Sequence, residues 1–413
     1  MIAFYNGWVL LTLWLFYRGP IEWPGAQDAK VALYVLLCLV CFNLVYALLR
    51  RGRRPASMEA GEDSESPRMW VPGSRLGARF LVGGLAVLTL VQISAVTGKN
   101  PVDAASYSLD FGAVYSDYGA SLAGRTQGLA QQSLTLLRAL VFPFGLVAFI
   151  AWFKKDRWVV VGFLAPMAVS SLLRGTDKEV VDILLCLLVA MYCHRMLDRR
   201  AVLMILAVPL AGALFVTRRL ARFDDSLPPC LPSSSACFDY TSSVARAFGA
   251  RAEIFSVFTT NYVTNGYEGL RRAFDLDWVP NFGVGHLPPV KRALCSATDS
   301  FCSIGDYQST LTMAGWDSSS RWTSVYPVLA NDLSFVLVPV YFAALGAVTA
   351  QCMRAWWGSR DPRGGAGLVL VTMFWVYSSA NMQIAISLEW AVTTVVLLYI
   401  VPLRHAPRPV LQT

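Results

Sequence analysis

Long apolar runs separated by short polar breaks occupy most of the chain, and one long polar stretch, 218–331, interrupts them. Runs of about 17–25 apolar residues recur along the chain, long enough to cross a hydrocarbon core of about 30 Å. About ten spans fit this pattern, at 3–17, 31–49, 79–97, 133–152, 158–173, 180–194, 201–217, 332–352, 366–382 and 384–402. The segments flanking 174–179 are brief, so that pair is expected to tilt or to be partly re-entrant. A β-barrel would show short alternating segments instead. The pattern therefore predicts an all-α polytopic membrane protein. The stretch Phe4–Tyr17 has no basic leader and no small-residue cleavage site, and reads as a retained first helix.

Composition agrees. The chain has 413 residues, 55% of them hydrophobic and 15% charged; soluble domains carry about 25% charged residues. Basic residues cluster in alternate loops: Arg50, Arg51, Arg53 and Arg54, then Lys154, Lys155 and Arg157, then Arg195, Arg199 and Arg200. Arg354, Arg360, Arg363, Arg404 and Arg408 continue the series. Such loops face the cytoplasm, which puts both termini inside. A net charge of +8 then follows from basic inner loops, and nucleic acid is not implied. The expected organisation is helices 1–7 over 1–217, a large outer loop over 218–331, and helices 8–10 with a cytoplasmic tail over 332–413. Residues 50–78, rich in Pro, Ser, Glu and Gly, read as a flexible cytoplasmic linker, and 98–132 as a second outer loop. The chain shows no repeat of fixed period.

The cysteines give an independent reading of sidedness. Cys230, Cys237, Cys295 and Cys302 all fall in the outer loop, in two Cys-x6-Cys pairs. Disulfides form in oxidising compartments such as a periplasm. Local pairs, Cys230–Cys237 and Cys295–Cys302, are expected, with crossed pairing open. Zinc knuckles use a spacing of about two to four residues, so a metal is not expected here. Cys38, Cys41, Cys186, Cys193 and Cys352 fall in or near spans and read as core packing.

Cations at the outer ends of spans run against the usual bias. Arg138 lies in the fourth span, Arg174 and Lys178 in the turn after the fifth, and Arg218, Arg219 and Arg222 after the seventh. Guanidinium forks suit phosphate oxygens, so these six form a candidate pyrophosphate site; lipid snorkelling or pairing with Asp177, Glu179 and Asp182 is the structural alternative. Asp182, Asn381, Gln383 and Glu389 also map near outer ends, and ionisable groups inside membranes often mark function. In the outer loop, 241–262 reads as an amphipathic helix with Val244, Phe248, Phe255, Phe258 and Tyr262 on one face. The aromatic and amide groups beyond it, Tyr262, Asn265, Tyr267, Trp322, Tyr326, Asn331 and Asp332, suit a glycan: rings stack on sugar faces and amides bind hydroxyls. Asp275 and Asp277 invite a metal reading, but two acids at this spacing are common by chance.

Three stretches together, Asn265-Gly266-Tyr267-Glu268-Gly269-Leu270, Gly283-Val284-Gly285-His286 and Trp322-Thr323-Ser324-Val325-Tyr326-Pro327-Val328-Leu329-Ala330-Asn331-Asp332, resemble the bacterial oligosaccharide repeat unit polymerases of the Wzy type. The turn bearing Arg174-Gly175 is similar to the arginine-bearing outer turn of that family. The resemblance implies a glycosyltransferase of the bacterial inner membrane with its active site facing the periplasm. It would join polyprenyl-pyrophosphate-linked repeat units into O-antigen or exopolysaccharide, with a lipid-linked donor and acceptor, membrane lipids, a chain-length regulator as a further partner, and no cofactor or metal. Such a reaction needs cations for the leaving pyrophosphate and a base for the acceptor hydroxyl. His286, Glu253 and Glu268 are the candidate bases. An O-antigen ligase-like glycosyltransferase would share the donor. A lipid-linked glycan flippase would carry polar groups through the full depth of the bundle, and a scaffold would need no outer arginines.

Overall fold

The computed structural model describes residues 1–51, 74–103, 114, 128–176, 178–196, 230, 237–278, 280–281, 295, 307–317, 321 and 323–400. Among them every extended element is helical, and the one bridge joins Cys230 to Cys237. Four helices are long and apolar enough to cross a membrane: Lys30–Arg50, Arg75–Thr97, Ala130–Trp152 and Arg157–Arg174. A fifth crossing is counted if the pair Val325–Leu333 and Val338–Ser359, bent by 109°, forms one span. The protein is therefore an all-helical, membrane-embedded chain. The expected seventh span, 201–217, lies outside the described residues.

The chain divides into two compact units. The first comprises Met1–Arg53, Phe223–Val348 and Val371–Ser387. Its helices are α1 (Ile2–Arg18) and α2 (Lys30–Arg51). After a second segment, not part of this unit, come α7 (Ser243–Phe248), α8 (Ala250–Ala273), α9 (Tyr307–Met313) and α10 (Val325–Leu333). Large aromatics fill its core: Phe42 meets Trp375 at 4.9 Å and Tyr326 stacks on Phe342 at 5.3 Å. The Tyr5 hydroxyl bonds that of Thr372 at 2.9 Å, so the polar tip of this buried ring is satisfied. On α2, Leu33, Leu37, Val40, Leu44 and Leu48 are all exposed. Their helical spacing makes one apolar stripe, the surface a helix offers to lipid.

Two expectations for this unit change. The amphipathic helix expected over 241–262 is two helices, broken at Gly249 and continued to Ala273. Gly249 has φ +88°, a conformation that glycine tolerates and side chains resist. Phe248, expected on the apolar face of that helix, is exposed, and Ile254, Val257, Thr264 and Tyr267 are buried. The span expected to start at 332 starts at Val338, because α10 ends at Leu333 and the chain turns at Ser334 with φ +65°.

The second unit comprises Arg54–Arg222, Thr349–Leu370 and Leu388–Thr413. It contains α3 (Arg75–Thr97), α4 (Leu129–Trp152), α5 (Arg157–Arg174) and α6 (Lys178–Cys193). Helices α11 (Val338–Ser359) and α12 (Pro362–Tyr377) have residues in both units, whereas α13 (Gln383–Ile386) belongs to the first and α14 (Leu388–Thr394) to the second. Helix α14 runs on into a π-helical turn over Val395–Ile400. Ser74 caps α3, accepting from Gly77 N at 3.0 Å, and Gly98 ends it with φ +70°. Gly145 and Gly162 let α3 lie close: a Cβ on either would sit 2.5 Å from Leu85 Cδ2 or 2.9 Å from Val82 Cγ1. Phe149 stacks on Phe163 at 4.9 Å, and Phe142 meets Trp390 edge-on at 4.8 Å.

Candidate functional site

The turn between α5 and α6 is built by the sequence Ser171–Glu179. Gly175 adopts φ +63° and closes α5, with Gly175 N bonding Leu172 O and Thr176 N bonding Ser171 O. This double bond pattern satisfies the last carbonyls of the helix and fixes the turn. Arg174 is consequently the final helical residue. Its Nη1 donates to Glu179 Oε1 at 2.9 Å, while Thr176 Oγ1 donates to Glu179 Oε2 at 2.7 Å.

A charged cleft lies beside this turn. Arg174, Lys178, Glu179 and Asp182 line one part of it; Arg138 from α4 and Glu389 from α14 line another. Its empty space, including the open mouth, is about 390 Å³. Arg138 Nη2 meets Glu389 Oε2 at 2.9 Å. Glu389 sits in the first turn of α14, where the helix dipole favours a negative charge. Asp182 accepts the indole N–H of Trp390 at 3.0 Å. The three cations and three carboxylates balance, as they must in a buried setting where an unpaired charge is costly. Among the described residues, Arg138 Nε is buried and finds no hydrogen-bond partner, and neither does Ser170 Oγ of the same cleft. A guanidinium with one nitrogen committed and another spare can still receive an anion.

Of the six expected pyrophosphate ligands, the structure brings Arg138, Arg174 and Lys178 together. Arg218, Arg219 and Arg222 lie outside the described residues, as does Asp177. Sequence reasoning flagged Asp182 and Glu389 from their position near span ends. It passed over Thr89 on α3 and Trp390 on α14, which also line the cleft; apolar neighbours disguise both, and the one signal in the sequence is that Trp390 follows Glu389.

Compared with protein-family models, curated proteins and solved structures, the chain matches none.

The remaining candidates belong to the first unit. Glu268 is buried in an ion cluster, taking Arg271 at 3.2 Å, Arg272 at 3.3 Å and the Gly25 N–H at 3.0 Å. Glu253 is buried and accepts from Ser242 Oγ at 2.5 Å, where Ser242 also caps α7. His286 and Trp322 lie outside the described residues. Asn265, Tyr267, Tyr326, Asn331 and Asp332 are all buried, and Tyr262 is half-buried. Tyr267 shares a hydrogen bond of 3.0 Å with Thr12. Asn331 accepts from Asn281 through both its backbone and its side chain. Asn265 Oδ1, the Tyr326 hydroxyl and Asn331 Nδ2 have no hydrogen-bond partner among the described residues. The motif stretches meet directly: Ser324 N donates to Gly266 O at 3.4 Å. A Cβ on Gly266 would lie 2.2 Å from Ser379 O and 2.7 Å from Ser324 N.

Cys230 and Cys237 form a disulfide, and Cys295 is disulfide-bonded as well; Cys302 lies outside the described residues. Cys38, Cys41, Cys186, Cys193 and Cys352 are free thiols. Among the described residues no group of three His, Cys, Asp or Glu side chains gathers to hold a metal. Asp275 lies 3.9 Å from Arg271.

Proposed function

We propose that the chain is a glycosyltransferase that polymerises polyprenyl-pyrophosphate-linked oligosaccharide repeat units, with the cleft of Arg138, Arg174 and Lys178 as the site for the diphosphate. One observation supports this above the others. Cations from α4, the end of α5 and the start of α6 share a cleft among membrane helices, and the buried Arg138 Nε has no hydrogen-bond partner among the described residues. A diphosphate leaving from an anomeric carbon needs that kind of preorganised positive field. The resemblance of 265–270, 283–286 and 322–332 to Wzy-type polymerases supplies the reaction class. On this reading the chain spans a bacterial inner membrane about ten times. Its termini face the cytoplasm, the cleft opens toward the periplasm, and a chain-length regulator is a partner.

The test has two arms. The purified protein in lipid nanodiscs should bind undecaprenyl diphosphate and discriminate against undecaprenol. Arg138→Ala and Arg174→Ala should each weaken binding by about tenfold or more, as loss of a charge-assisted contact does. In cells, deletion of the gene should leave single repeat units and no polysaccharide ladder. An intact ladder would overturn the proposal. Lipid-linked polymer accumulating without transfer would instead identify a ligase.

A further inference from the structure

The cleft that holds the cations also holds three carboxylates, and these differ in how firmly they are tied. Glu179 is gripped by two donors, Arg174 and Thr176. Asp182 takes the indole N–H of Trp390 and is 1% exposed. Glu389 pairs with Arg138 and keeps 16% of its side chain exposed, the most open of the three. Its partner Arg138 has a buried Nε with no hydrogen-bond partner among the described residues.

We infer that Glu389 is the catalytic base of the transfer step, covered at rest by Arg138 and uncovered when a diphosphate takes that arginine. The inference rests on the reading of the cleft as a diphosphate site. An ion pair is exchangeable when a stronger partner for one member arrives. A diphosphate carries more charge than a carboxylate and accepts from both edges of a guanidinium. Arg138 turning toward it leaves a carboxylate in a half-dry cleft without its cation, and a buried carboxylate that has lost its cation binds a proton more readily. The substrate thus creates the base it needs. The bonds balance. The acceptor hydroxyl oxygen attacks the anomeric carbon, and its proton passes to a Glu389 carboxylate oxygen. The bond from the anomeric carbon to the diphosphate oxygen breaks, and the diphosphate leaves with that electron pair, held by Arg138, Arg174 and Lys178. No oxidant, metal or further reactant is involved.

The arrangement has an unusual signature, because Glu389 competes with the substrate for Arg138 as well as serving it. Glu389→Gln removes the competing charge and the base together, while its amide oxygen still accepts from Arg138. This variant should bind undecaprenyl diphosphate about tenfold more tightly in nanodiscs, since a like charge beside the ligand is gone. At matched membrane levels in the deletion strain it should form at least about 100-fold less polymer, the contribution of a general base. Glu389→Asp should recover part of the polymer. Tight binding with a normal ladder would overturn the base and leave the diphosphate site standing. Loss of binding by Glu389→Gln, with wild type binding normally, would make Glu389 a structural partner of Arg138 and also overturn it. Wild type that fails to bind the diphosphate would overturn the site reading itself.

Discussion

At the scale of single residues, the most informative positions are those where one side chain serves two elements. Asp156 is one. It caps α5 by accepting from Trp158 N at 2.9 Å and takes Arg79 and Arg75 at 2.8 and 2.7 Å. The hydrogen bond from Arg79 first, then that from Arg75 and the Trp158 N–H, hold its carboxyl well below the usual carboxylate range. A lowered folded value stabilises above the unfolded one, about 3.9, and is lost only as pH falls through the folded value. Asp156→Ala should therefore cost about 1 kcal/mol, typical of a lost cap, with no change between pH 8 and 5. Thermal unfolding of both proteins in one detergent checks this; the gap should narrow only below about pH 4. Gly266 shows what remained illegible at this scale. In sequence it sits among Asn265, Tyr267 and Glu268, a composition that suits sugar contact. In the fold it is the point where α8 touches Ser324 and Ser379, and a contact between residues so far apart in sequence has no local signature.

At the scale of elements, apolar length was readable and punctuation was less so. The helices α2 to α5 follow the expected spans closely because runs of this hydropathy have no other stable conformation in lipid. Helix α8 did not follow. Its mixed polar and apolar face ended in sequence near Tyr262, whereas buried contacts carry the helix to Ala273. Thr264, Tyr267 and Leu270 are all buried, so tertiary packing extends what propensity alone would stop. The turn from α5 to α6 is the element on which the cleft depends, and Gly175 is its hinge. Alanine at φ +63° costs about 1–2 kcal/mol, and asparagine less, since it tolerates this region. Gly175→Ala should lower the unfolding temperature and weaken diphosphate binding, because Arg174 and Lys178 flank the turn. Gly175→Asn should recover most of both. Equal behaviour of the two variants in a paired unfolding and binding series would show that the glycine conformation does not hold the cations in place.

At the scale of the whole molecule, membrane embedding was legible and the number of crossings was not. Composition and run length set the class. The count depends on helices such as α1, α6 and α12, which are 17, 16 and 16 residues long, shorter than the roughly 20 residues a perpendicular span needs. Length alone cannot decide whether each of these crosses, but sidedness can, because every crossing reverses it. The proposed orientation would put Ser359, the last residue of α11, on the cytoplasmic side with its basic neighbours, and Ser242, a few residues beyond the disulfide of Cys230 and Cys237, on the oxidising side. An odd number of crossings must then separate these two positions. The described chain between them offers the bent pair of α10 and α11 as the crossing, with α8 and α9 on the outer side. Single cysteines introduced at Ser242 and Ser359 test this in intact spheroplasts with a membrane-impermeant maleimide. Background should be low, since four of the five free native thiols are buried. Ser242→Cys should label without permeabilisation and Ser359→Cys only after it. Labelling of both from outside would mean that the bent pair is re-entrant, dipping into the membrane and returning. It would also place the loop after α11 outside, against the direction its arginines predict.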